Sequence, residues 1–67
     1  MSDKISEQIL RIVESSNEPL ETLEIVGKVG KVSRAMVIYR LNNLRGEGKI
    51  KGKSIGAGKG NWIWWKK

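Results

Sequence analysis

The segment GKVSRAMVIYRLNNLRGEGKI, residues 30 to 50, decides the fold of this chain. Ser33 is suited to cap a helix, because its hydroxyl can accept a hydrogen bond from an amide of the first turn. Gly48 is suited to end that helix. The segment therefore predicts a helix from Arg34 to about Gly46. Three apolar residues at i, i+4 and i+7 form the stripe that is expected to face the core: Val37, Leu41 and Leu44.

The residues after this helix predict a β-hairpin. KIKGKSI, residues 49–55, and WIWWKK, residues 62–67, have the pattern of two strands, and the glycine-rich loop 56–61 joins them. Since side chains alternate along a strand, one pair is expected to complete the core and the other to lie on the outer face. The two pairs are Trp62 with Trp64 and Ile63 with Trp65.

Residues 3–16 predict a first helix. Their apolar residues recur at helical spacing, with charged residues between them. Ser2 or Asp3 can cap this helix at its start, and the sequence Asn17-Glu18-Pro19 is expected to end it.

A second helix is predicted over residues 23–29. Leu20, after the proline, is expected in a short extended piece, and Thr22 is the predicted N-cap. Gly30 is expected to end the helix in a left-handed conformation. The expected inward residues are Leu23, Val26 and Val29.

This order of elements, with the motif in residues 30–50, resembles the winged helix-turn-helix proteins. Their familiar pattern is a serine cap, a valine, leucines four and seven residues later, a glycine four residues further on, and the aliphatic residue that starts the wing. The matching residues are Ser33, Val37, Leu41, Leu44, Gly48 and Ile50. The resemblance implies an α+β fold with three helices, a C-terminal two-stranded β-hairpin wing and a short extra strand near Leu20. It covers nearly the whole chain, and residues 1–67 are interpreted as one domain.

The resemblance also implies a function. In winged helix-turn-helix proteins the third helix, here 34–46, enters the major groove, and the wing, here 49–61, follows the backbone or the minor groove. The charges support contact with a polyanion. Residues 1–27 carry two basic and six acidic groups (−4), whereas residues 28–67 carry eleven basic groups and one acidic group (+10), which together give the net charge of +6. The main hypothesis is a double-stranded DNA-binding protein with high or moderate sequence specificity, acting as a small transcriptional regulator.

The predicted contact residues fall into two chemical groups. On the helix, arginine is suited to guanine and asparagine to adenine, and a methionine can touch thymine methyl groups. On the wing and before the helix, lysines and glycines are suited to phosphate. Arg40 is expected to pack against the first helix and to offer its guanidinium to Glu14 or to a phosphate. The predicted DNA-binding residues are Lys28, Lys31, Ser33, Arg34, Met36, Tyr39, Arg40, Asn42, Asn43, Lys49, Lys51, Lys53, Lys59 and Trp62.

Two alternatives remain open at this point. One is a protein–protein interaction module, in which the surface of Ala35, Met36 and Ile38 or the outer tryptophans dock a partner. The polar residues that winged-helix proteins often carry at those three positions are missing here. The other is a single-strand or RNA binder that stacks bases on Trp62 or Trp64.

Several functions are not expected. The chain has no cysteine and no histidine, which removes disulfides, thiolate zinc sites and the commonest general base. The lysine of a phosphate-binding P-loop must be followed by serine or threonine, whereas Lys59 is followed by Gly60. Lys53 is followed by Ser54, but Glu47 stands where the first glycine is needed. We expect no enzyme activity, no cofactor, no metal, no small-molecule ligand and no membrane partner. We expect a cytoplasmic location, nucleoid-associated in a prokaryote, and a possible homodimer through the first helix or the last strand.

Overall fold

A computed structural model describes residues 3–56 and 61–67 of the chain. Three helices and three strands alternate along this part of the sequence, so the predicted α+β class is confirmed. None of the helices in these ranges is long and apolar enough to cross a bilayer. The elements are α1 (Lys4–Ser15), β1 (Leu20–Glu21), α2 (Thr22–Val29), α3 (Arg34–Gly46), β2 (Ile50–Ser54) and β3 (Trp62–Lys66).

Both ends of α3 follow from local sequence, as predicted. The hydroxyl of Ser33 accepts a hydrogen bond from the amide of Met36 at 3.1 Å. At the other end the chain turns through Gly48, whose φ is +78°. The amide of Lys49 donates to the Leu44 carbonyl at 3.0 Å, which satisfies a carbonyl that the helix leaves without a partner.

The structure corrects the prediction for α2. Glu24 accepts a hydrogen bond from the amide of Glu21 at 2.9 Å, and the helix begins at Thr22 rather than after it. Thr22 is therefore not the N-cap; its side chain is buried against β3. Thr22 and Ile25, three residues apart, lie on the same buried side of the helix, whereas Leu23 is 62% exposed. The predicted inward position of Leu23 was wrong, because position 23 lies about 100° around the helix from Thr22.

The three strands form one antiparallel sheet in the order β1-β3-β2. Leu20 and Gly52 both lie opposite Trp64, on opposite sides of β3. Because directly opposed residues share a face, the register separates two faces of the sheet. The inner face carries Leu20, Ile50, Gly52, Ser54, Trp62 and Trp64, and the outer face carries Glu21, Lys51, Lys53, Ile63 and Trp65.

The helices pack on the inner face. Trp64 is only 2% exposed and belongs to the same buried cluster as Ile9, Val37 and Leu41. Its indole Nε1 donates to the Thr22 hydroxyl at 2.9 Å, so the buried polar atom has a partner. Of the two predicted pairs, the one with Trp62 and Trp64 completes the core.

Gly52 has a different role from the one predicted. We expected the glycines of the wing to let backbone amides approach phosphate. A Cβ at position 52 would lie 2.5 Å from the Trp64 ring, so only glycine fits beneath that ring. Gly52 is therefore needed for the packing of Trp64 in the core of the protein.

Candidate nucleic-acid interface

The exposed face of α3 is the first part of the candidate site. Burial of the predicted stripe on one side leaves the opposite side open to solvent. Tyr39 is 60% exposed and Met36 37% exposed. Arg34, Asn42 and Asn43 are also exposed. The structure thus brings these five predicted residues onto one helix in positions that a ligand can reach.

Local hydrogen bonds already orient part of this face. The Asn42 side-chain amide donates to the Ile38 carbonyl at 3.1 Å, which leaves its Oδ1 and one N–H for a partner. The Ser33 hydroxyl is used by the helix cap, so this predicted contact residue has a structural role whether or not it meets a ligand.

Arg40 lies at the border of this face, with its Cζ 5.6 Å from the centre of the Tyr39 ring. Its guanidinium forms an ion pair with Asp3, at 2.7 Å between Nη1 and Oδ2, and so ties α3 to the start of α1. Of the two predicted partners, Glu14 was wrong, and a phosphate remains a prediction. Asp3 also accepts a hydrogen bond from the Ser6 amide at 2.8 Å. That bond, with the Arg40 charge as a lesser cause, lowers the pKa of the Asp3 carboxyl below its usual value.

The predicted basic residues lie on two sides of the domain. Lys28 and Lys31 lie before α3 and are exposed. Lys49 follows α3 and meets Glu47 at 3.5 Å; such an exposed pair contributes little to stability, so the ammonium can exchange this partner for a phosphate. Lys51 and Lys53, in contrast, are on the outer face of the sheet. Lys59 falls outside the described residues.

The tryptophans of β3 differ in accessibility. Trp64 is buried, which contradicts the alternative in which it stacks on bases. Trp62 is half-buried and packs on Trp64 with 5.3 Å between ring centroids. On the other side of the sheet, Trp65 is half-buried and lies outside the core cluster.

Arg45 was missed by the sequence reasoning. Its Cζ lies 5.1 Å from the centre of the Trp62 ring, close enough for a cation–π contact. This contact joins the end of α3 to the wing across seventeen positions of sequence, so no local pattern could have signalled it. Beside it, Ile38, Asn42 and Trp62 line a cleft between helix and wing. Ile38 therefore faces the wing and does not extend the surface of Ala35 and Met36.

Among residues 3–56 and 61–67, no group of three acidic residues could hold a metal ion. In the same ranges β3 is the central strand, paired with β2 along its length and with β1 at Ile63 and Trp64. The predicted homodimer through the first helix or the last strand remains a prediction.

Comparison with known proteins identifies the architecture. No protein-family model matches the chain, and no curated protein matches it. A solved structure from work on the DNA recognition and protein interaction domains of HOP2 matches with a TM-score of 0.80 and 29% sequence identity. The match covers 94% of this chain and 98% of that one. The fold is a winged helix. The third helix of this winged helix is α3, and its wing is the hairpin of β2 and β3.

Proposed function

We propose that this winged helix binds double-stranded DNA with α3 in the major groove. The observation that carries the proposal is the solvent-exposed surface of α3, which presents an arginine, a tyrosine and two asparagines. Arg34 forms no ion pair within the described residues. The likeness to the DNA recognition domain of HOP2 supports a DNA-binding role.

The surrounding charges support the same proposal. Lys28 and Lys31 lie close to the N-terminus of α3, and Lys49 follows its C-terminus. Lys51 and Lys53 add positive charge to the wing. Phosphate neutralisation by such groups supplies affinity and makes binding depend on salt, whereas contacts to base edges supply specificity.

The finer parts of the proposal follow from these contacts. Alanine and methionine at positions 35 and 36 offer little directional bonding, so we propose moderate sequence specificity from Arg34, Asn42 and Asn43. We propose a role as a small transcriptional regulator in the cytoplasm, associated with the nucleoid if the cell is prokaryotic.

A titration of labelled duplex DNA at several salt concentrations tests the proposal. Arg34→Ala and Asn43→Ala are expected to weaken binding to a preferred duplex by about 1–3 kcal/mol each, if each contacts a base edge. Lys31→Gln is expected to lower the salt slope by about 0.9. Arg11→Ala, an exposed change on α1, is the matched control.

Two results would contradict the proposal. One is the absence of duplex binding even at low salt. The other is duplex binding that changes no more with the α3 variants than with Arg11→Ala. If Met36→Ala alone weakens binding, and the ligand is a protein partner, the result would indicate the interaction module instead.

A further inference from the structure

The outer face of the sheet holds apolar surface that the core does not use. Ile63 and Trp65 point away from the helices and are half-buried, and neither packs against the core cluster. The indole N–H of Trp65 forms no hydrogen bond within the described residues, in contrast to that of Trp64. A planar aromatic ring with an unused donor is thus accessible beside Ile63.

The positive charges on this face lie on one side of it, along β2. Lys51 lies directly opposite Trp65, and Lys53 lies opposite Ile63. Both are exposed, and neither has an ion-pair partner in the described residues. Being two residues apart on an extended strand, their Cα atoms are separated by about 7 Å. The β2 side of the face is therefore cationic along its length.

The opposite side of the face is acidic. Glu21 on β1 lies opposite Ile63, and Glu18 borders the cleft that Ile63, Trp65 and Lys53 line together. The central strand β3 thus carries the aromatic ring between a basic side and an acidic side. A polyanion on this face is attracted to β2 and repelled from β1.

We propose that the outer face is a second binding site, for single-stranded nucleic acid, with a base stacked on Trp65 and the adjoining phosphates on Lys51 and Lys53. This goes beyond the proposed duplex-binding function, which uses α3. The bases of a duplex are already stacked within it, so only an unpaired base presents a free face to the indole ring.

The test measures a short labelled oligothymidine and a labelled duplex against the same variants. Trp65→Leu is expected to weaken oligothymidine binding by about 5- to 100-fold, the range found when a stacking aromatic is removed, and to leave duplex binding unchanged. Trp65→Phe, which keeps a flat ring, is expected to lose less affinity and to lose most of the fluorescence quenching by the oligonucleotide. Leu23→Ala, which changes an exposed apolar side chain on α2, is the matched control and is expected to keep both.

A charge test avoids any effect on packing. Lys51→Gln and Lys53→Gln change exposed side chains, and each is expected to reduce the salt slope for the single strand by about 0.7. Lys4→Gln, an exposed change on α1, is expected to leave that slope unaltered.

The outcomes separate this proposal from the duplex proposal. If Arg34→Ala and Asn43→Ala weaken duplex binding while Trp65→Leu weakens only single-strand binding, the two sites are distinct. Single-strand binding without duplex binding would support the outer-face site and overturn the duplex proposal alone. The outer-face proposal is overturned if Trp65→Leu leaves oligothymidine affinity unchanged, if it weakens duplex binding equally, or if polyglutamate binds as tightly as oligothymidine.

Discussion

Trp64 and Trp65 are neighbours in sequence and have opposite environments. Trp64 faces the helices, is 2% exposed, packs on Gly52 and donates its N–H to Thr22. Trp65 faces away, opposite Lys51, and its indole N–H makes no hydrogen bond in the described part of the chain. One strand register therefore places one face of the sheet in the core, where it stabilises the fold, and leaves the other face available for binding.

The largest expected effect is the difference between alanine substitutions at these two positions. Trp64→Ala is expected to lower the free energy of unfolding by about 3–5 kcal/mol, since it removes a large buried ring and leaves a cavity. Trp65→Ala is expected to cost about 1 kcal/mol or less. Urea unfolding followed by circular dichroism measures both, and equal losses would contradict the assignment of the two faces.

Gly52→Ala tests how closely the sheet approaches the inner tryptophan. The new methyl group would lie 2.5 Å from the Trp64 ring, so the ring or the strand must shift. We expect a loss of about 1–3 kcal/mol in the free energy of unfolding, as for other overpacked sites.

Gly27→Ala is the matched control for this change. Its methyl group would meet nothing within 4 Å on α2. Since alanine is the better helix former, we expect a gain of about 0.5–1 kcal/mol in thermal or urea unfolding. If both glycine variants lost the same stability, the loss at position 52 could not be assigned to contact with the Trp64 ring.

Thr22→Val tests the hydrogen bond that distinguishes the two indoles. Valine leaves the buried Nε1 of Trp64 without an acceptor, and we expect a loss of about 1–3 kcal/mol in urea unfolding. Thr22→Ser keeps the hydroxyl and is expected to retain more stability than Thr22→Val. The reverse order would show that the methyl group matters more than the bond.

The smallest expected effect lies far from both tryptophans, at Asp3. Its folded-state pKa is below the ordinary 3.8, because the Ser6 amide and the Arg40 guanidinium favour the carboxylate. The resulting stability is fully present above that ordinary value and is lost as the pH falls through the lower folded-state pKa.

Asp3→Asn should show this pH dependence directly. Asparagine can still cap α1 but cannot form the ion pair, so the variant should be less stable than the wild type near neutral pH. Thermal unfolding should find the difference shrinking as the solution is made strongly acidic. A difference that stayed constant with pH would assign it to something other than the Asp3 charge.

The sequence predicted best what depends on neighbours in the chain. The cap of α3 by Ser33, its buried stripe and the turn at Gly48 all follow from interactions within a few residues, and all are confirmed. The winged-helix arrangement was implied by the resemblance of residues 30–50 to winged helix-turn-helix proteins. The DNA contacts proposed on this helix rest on chemistry and exposure and remain predictions.

The errors have one physical source. Thr22 was interpreted as a cap, although its hydroxyl binds an indole forty-two residues away. That contact marks the buried side of α2, which Ile25 shares and Leu23 does not. Arg40 was predicted to meet Glu14 or a phosphate, but the packing of α1 on α3 brings it to Asp3. Each error concerns a partner that is distant along the chain.

For this protein, the amino-acid sequence by itself determined the helices, the hairpin and the basic character of the second half of the chain. Periodicity, capping and charge are local properties, and they can be read without knowing how elements meet. Only the tertiary structure decided which tryptophan is buried, why Gly52 must be glycine, and that Lys51 and Lys53 share a face with Trp65 and not with Trp64. Those outcomes depend on strand register and on which side of the sheet the helices cover, because a one-residue slip would exchange the two faces.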